Sequence, residues 1–241
     1  MLLEKDMKLA DIIIHDISLV PVISRFGILL GFGDESIEGV CKKKSIDIDF
    51  LLTILNAFHD PQYLDKKYLQ SFSVDLLIQY LRKTHQYYLS NKIPEIECLI
   101  DKMELESTID KSSYQLLQKF FKDYKTELVK HIDREEKVVY PYVLELNNAI
   151  ANDEITSSLI EKIKKYSIKS YEEEHDNVEE KLTDLKNIII KYLSPSQNQQ
   201  SRFRLLKELT ALEKDLAEHA IIEDLILVPK VELLEKNVLI S

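Results

Sequence analysis

Two thirteen-residue segments of this chain, HIDREEKVVYPYV and HAIIEDLILVPKV, share the order His-x3-Glu-x5-Pro. The first supplies His131, Glu135 and Pro141, and the second, 88 residues on, His219, Glu223 and Pro229. A four-residue step on a helix puts the imidazole and the carboxylate on one face, in adjacent turns. His85 and His175 precede the two pairs by 46 and 44 residues, so four histidines recur at intervals of 46, 44 and 44. Such even spacing is what a chain gives when it crosses one level of a helical bundle four times. Four imidazoles and two carboxylates at one level form a ligand set for cations.

Those residues need helices to carry them, and the apolar periodicity supplies four. Leu117, Phe121, Tyr124, Leu128, His131, Glu135, Val138 and Tyr142 alternate steps of four and three, the pattern of an inward-facing stripe. Leu205, Leu209, Leu212, Leu216, His219, Glu223 and Ile226 repeat it. Ile168, Tyr171, His175, Val178, Leu182, Leu185 and Ile189 form a third stripe, and Val74, Ile78, Leu81, His85 and Tyr88 a further one. Polar breaks near 104–112, 147–157 and 194–201 are short enough to join antiparallel neighbours. The fold expected is all-α: an up-down-up-down four-helix bundle over residues 65–241. Pro141 and Pro229 are expected to end or bend their helices just past the site.

All four glycines fall between Gly27 and Gly39, which leaves a glycine-free, Leu/Lys/Glu/Ile-rich remainder suited to long helices. Residues 1–64 read as a small helical N-terminal domain, with apolar segments at 8–15, 18–25, 36–43 and 48–58, closing in the connector HDPQYLDKK. Two cysteines, Cys41 and Cys98, are too few for a disulfide framework. A net charge of −10 opposes nucleic-acid binding. No apolar run approaches the roughly 20 residues of a membrane span, and the N-terminus lacks a signal-peptide pattern. A cytoplasmic location is expected.

A buried carboxylate without a counter-charge costs several kcal/mol, and no lysine or arginine shares the stripes near Glu135 or Glu223. A bound cation would supply that charge. Structural zinc prefers about four ligands, often thiolates, and catalytic zinc about three. Six N/O donors instead suit two metals bridged by the glutamates, each with two imidazoles, as in bundles that carry di-iron sites. Two octahedral ions offer about twelve positions, and this set with one oxo or hydroxo bridge fills all but about two. Iron, manganese and mixed pairs all fit. Glu179, four residues after His175, is a candidate extra ligand or gate. Glu127 and Asp215, each four residues before a paired histidine, read either as residues of a solvated flank or as carboxylates that orient an imidazole from behind. Tyr88, Tyr124, Tyr142 and Tyr171 are expected to pack in the core, and Cys41 to be an ordinary buried thiol. His15 and His59 are given no metal role.

His85, HIDREEKVVYP, EEEHDNVEEKL and EHAIIEDLILVP resemble the four metal-binding helices of the hemerythrin-like superfamily, specifically the repair-of-iron-centres family. Oxygen-carrying hemerythrins usually place two histidines four apart on the third helix and an aspartate on the fourth. Here those positions hold Glu179 and Glu223. The stretch KLADIIIHDISLVPVISRFGILLGFGDESIEGVCKKKSIDIDFLLTILN is similar to that family's N-terminal domain, except that Leu30, Gly31 and Phe32 stand where it usually has adjacent cysteines. The resemblance implies two iron ions, oxo- or hydroxo-bridged, on His85, His131, Glu135, His175, His219 and Glu223, with manganese or zinc as lesser alternatives. It implies repair of iron–sulfur clusters damaged by nitrosative or oxidative stress. The expected partners are dioxygen, nitric oxide or peroxide, iron–sulfur proteins, and a second copy of the chain in a homodimer. A sensing or carrier module for oxygen or nitric oxide is the alternative, and an unreactive metal-stabilised bundle a third reading.

Overall fold

The computed structural model describes residues 1–63, 66–105, 110–173, 178–194 and 199–240. Among these there are helices, turns and one isolated bridge, and no β-strand. Four helices, Leu9–His15, Val20–Arg25, Ile37–Lys44 and Ile48–His59, form the N-terminal part, close to the segments expected from the sequence. Side-chain caps begin several helices: Ser36, Asp47, Ser73, Asp110 and Thr156 each accept from a backbone N–H three residues on. The loop after Val20–Arg25 turns through left-handed Gly27, Gly31 and Gly33, whose φ angles of 72°, 101° and 68° disfavour side chains.

The first bundle helix spans residues 74–105 and the second 111–151. The third comprises 168–173 and 178–192, and the fourth 200–240. The start of the first packs on the end of the second, and the same head-to-tail pattern joins third to fourth and first to fourth. This is the up-down-up-down arrangement. A short helix, Ser157–Lys165, occupies the connection from second to third, adding an element that the periodicity does not separate.

Two hydrophobic clusters fill the molecule. One contains Tyr88, Leu117, Leu128, Leu182, Leu185, Leu205, Leu209 and Leu212 in the distal half of the bundle. The other joins Leu77, Leu81, Val143, Leu146, Tyr171 and Val231 to N-terminal residues such as Leu19, Ile23, Leu51 and Leu55. The N-terminal helices therefore share a core with one end of the bundle. Tyr80 packs against both Phe26 and Phe50, with ring centroids 5.3 and 5.9 Å away. Cys41 is buried in this core, where desolvation and Asp47 push its thiol up to about 11. It packs as an ordinary thiol.

The bundle helices do not end at their prolines. Just before Pro94, Pro141 and Pro229 they widen into single π turns, at Tyr88–Lys92, Glu135–Val139 and Glu223–Leu227. Tyr140 N–H reaches back five residues to the Glu135 carbonyl, and Val228 N–H likewise to Glu223. Proline lacks an N–H and its ring clashes with the carbonyl four residues back, so the wider turn lets the helix continue. Each π turn inserts one residue into the 3.6-residue count; in the fourth helix Ile226 still faces the core, but in the second the inward side chain changes. Val138, expected in the core, is 53% exposed, and Val139 is buried in its place. Val138→Lys should change stability by no more than about 0.5 kcal/mol and Val139→Lys should cost about 3 kcal/mol or more, as measured by urea unfolding.

Candidate metal centre

The level between the two hydrophobic clusters is polar. One donor atom from each of His85, Glu135, His219 and Glu223 lies within 4.8 Å of the others, and all four residues are buried. His85 comes from the first bundle helix, Glu135 from the start of the π widening in the second, and His219 and Glu223 from the fourth. The Nε2 atoms of His85 and His219 face one another at 3.2 Å. His85 Nε2 also stands 3.1 Å from Glu135 Oε2, and His219 Nε2 stands 3.2 Å from Glu223 Oε2. His131 joins through its Nε2, 3.0 Å from Glu135 Oε1, as the four-residue spacing requires. It is the least buried of the described histidines at this level, with 13% of its side chain exposed.

His175 lies outside the described residues, and so does the side chain of Glu179. Glu127 turns away from the centre and pairs with Lys181 of the third helix. Asp215 also departs from its expected role: instead of backing an imidazole, it pairs with Arg25 and accepts the Tyr88 hydroxyl at 3.1 Å.

Three further side chains hold the centre in ways the sequence pattern does not flag. Tyr140 donates its hydroxyl to Glu223 Oε1. Its position in the second helix corresponds to Val228 in the fourth, so the repeat gives no hint of it. Tyr171, expected to pack in the core, is buried there and also donates to Glu135 Oε1 at 3.0 Å. Burial, with the charges of Glu223 and Glu135, holds both phenols well above their usual range, so they remain protonated donors. Glu136 takes the outward nitrogen of His85, Nδ1, at 2.8 Å and is itself held by Arg82 at 3.0 Å. A carboxylate behind a histidine in this way fixes the ring and raises its basicity toward a ligand.

Burial by itself would lower the His85 pKa, but bonds to Glu135 and Glu136 and the charges of Glu135 and Glu223 outweigh it and raise it to about 9. A positive charge is thus favoured at this level. The convergent atoms are imidazole nitrogens and carboxylate oxygens, donors that iron, manganese and zinc accept, and the residues present fit a bound metal. The phenols hold one oxygen of each carboxylate in the dry interior. Tyr140→Phe should leave Glu223 Oε1 without that donor and cost about 1–3 kcal/mol in denaturant unfolding of the metal-free chain.

The hemerythrin HHE cation binding domain model matches residues 76–231, a span that contains every candidate ligand. The chain is also similar to the iron-sulfur cluster repair protein ScdA of Staphylococcus haemolyticus (strain JCSC1435), 23% identical over 222 residues. That match covers 90% of this chain and 95% of the relative, so it extends beyond the bundle into the N-terminal part.

Proposed function

Because the chain belongs to the hemerythrin HHE cation binding domain family, we propose that it binds two iron ions and acts in the repair of iron–sulfur clusters damaged by nitrosative or oxidative stress. One observation carries the metal part: His85, Glu135, His219 and Glu223 converge in a buried polar level. The proposed ligands are these four with His131 and His175. Glu135 and Glu223 are the proposed bridges, since each carboxylate has two oxygens and they approach the centre from different helices. A pair of iron ions held there supplies redox chemistry and open positions for dioxygen, nitric oxide or peroxide. The protein's own part is to present imidazole nitrogens and carboxylate oxygens at one level, to hold the carboxylates through Tyr140 and Tyr171, and to keep bulk water out with the flanking clusters.

The repair reading draws on similarity across both parts of the chain to a protein named for that activity. Its proposed substrates are proteins that carry damaged clusters. No helix among the described residues is long and apolar enough to cross a membrane. The chemistry of adjacent thiols has no counterpart in the glycine-rich loop, where Leu30, Gly31 and Phe32 stand, so the bundle bears the reactive role.

Protein purified anaerobically should carry two irons per chain by elemental analysis, and one zinc per chain would overturn the assignment. Glu135→Ala should lose metal and, through linkage, lower the melting temperature of protein isolated with its metal. Reduced protein incubated with a nitric oxide-damaged aconitase-type enzyme should restore its activity, while His219→Ala should not. Equal recovery with both would sink the repair reading, and reversible gas binding without recovery would turn it toward sensing.

A further inference from the structure

Arg25 ends the second helix of the N-terminal part, yet its side chain is 1% exposed and reaches into the bundle. Its guanidinium lies over four rings, those of Phe58, Tyr80, Tyr87 and Tyr88, at 5.1–5.9 Å from their centroids. One nitrogen donates to the Tyr80 hydroxyl at 3.2 Å and another pairs with Asp215 on the fourth bundle helix. A buried ion pair is a poor device for stability alone, because apolar side chains of like volume serve as well or better.

What lies behind the pair points to another use. Asp215 is one turn before His219 on the same helix, and its other oxygen accepts from Tyr88. The Tyr88 ring stands edge-on to the His219 imidazole, with centroids 5.9 Å apart and planes at 70°. His219 needs such support. Its Nδ1 is buried and has no hydrogen-bond partner among the described residues, whereas the corresponding nitrogen of His85 is anchored by Glu136. With Nε2 turned toward Glu223 and His85, the other edge of the His219 ring is held by packing, and Tyr88 is one of the walls against the ring.

We propose that Arg25 is a positioning residue for the buried centre: it locks Asp215 and Tyr88, and through them sets the orientation of the His219 imidazole. The N-terminal helices thereby control the geometry of a ligand on the far helix of the bundle. Displacing the segment that carries Arg25 would release Asp215 and Tyr88 together and loosen that ring. The effect of this positioning on metal binding rests on the function proposed above.

The experiment uses full-length chain labelled with ¹⁵N-histidine, without metal, and compares Arg25→Met, Arg25→Lys and Tyr88→Phe. Signals of His219 are identified by their loss in His219→Gln. The ring signals of His219 should shift in Arg25→Met and in Tyr88→Phe, while those of His59, outside the bundle, stay in place. Arg25→Lys, which keeps the charge, should move them less than Arg25→Met. In anaerobic titrations with ferrous iron, Arg25→Met should bind about tenfold more weakly. Unmoved His219 signals in both Arg25→Met and Tyr88→Phe, whatever happens to melting temperature, would reduce Arg25 to a clamp between helices and overturn the proposal. Should Arg25→Met fail to fold, Tyr88→Phe decides, since it removes a single hydroxyl. Should the parent chain bind no iron, the metal reading falls while the His219 signals still decide the positioning role.

Discussion

Two carboxylates held inside a helical bundle set the terms for everything around them. Glu135 and Glu223 could not stay ionised in a dry core without hydrogen bonds and positive charge nearby. The chain meets that demand at one level, where imidazoles and phenols together surround the two carboxylates. The apolar residues are divided accordingly into a distal cluster and a cluster shared with the N-terminal helices. The split core follows from placing a polar layer between the two clusters.

The π turns belong to the same design. Each paired glutamate is the first residue of a widened turn, and the proline that ends its motif lies six positions later. The widening gives the helix an extra residue where it passes the centre, so the side chains above and below need not share one register. In the second helix Glu135, at the start of the widened turn, faces inward while its neighbour Glu136 reaches across to His85 of the first helix.

Much of this is legible in the sequence because it is local. Stripes such as Leu205, Leu209, Leu212 and Leu216 show helix and inward face together, and all four are buried. The histidine–glutamate couples follow from helical spacing, and the N-terminal helices from short apolar segments. What escapes depends on distance or on departures from regular geometry. Periodicity puts Val138 in the core because a uniform period cannot register an inserted residue. Spacing assigns Asp215 to an imidazole because its true partner, Arg25, is 190 residues away in the chain. Tyr140 bonds the glutamate of the other repeat, which no comparison of the two repeats with each other suggests. Glu127, whose spacing suits a supporting role or a solvated flank alike, lies on such a flank, paired with a cation on a neighbouring helix.

The separation of the two hydrophobic clusters has a mechanical side. Apolar contact is what welds a bundle along its length, and at the polar layer that weld is interrupted. An ion held by His85, Glu135 and His219 would tie together chain positions 50 and 84 residues apart, much as a covalent cross-link does. Closing loops of that size restricts the unfolded chain by on the order of 4 kcal/mol each in the chain-entropy model. The layer that is weakest as packing becomes, once occupied, the rivet of the whole length.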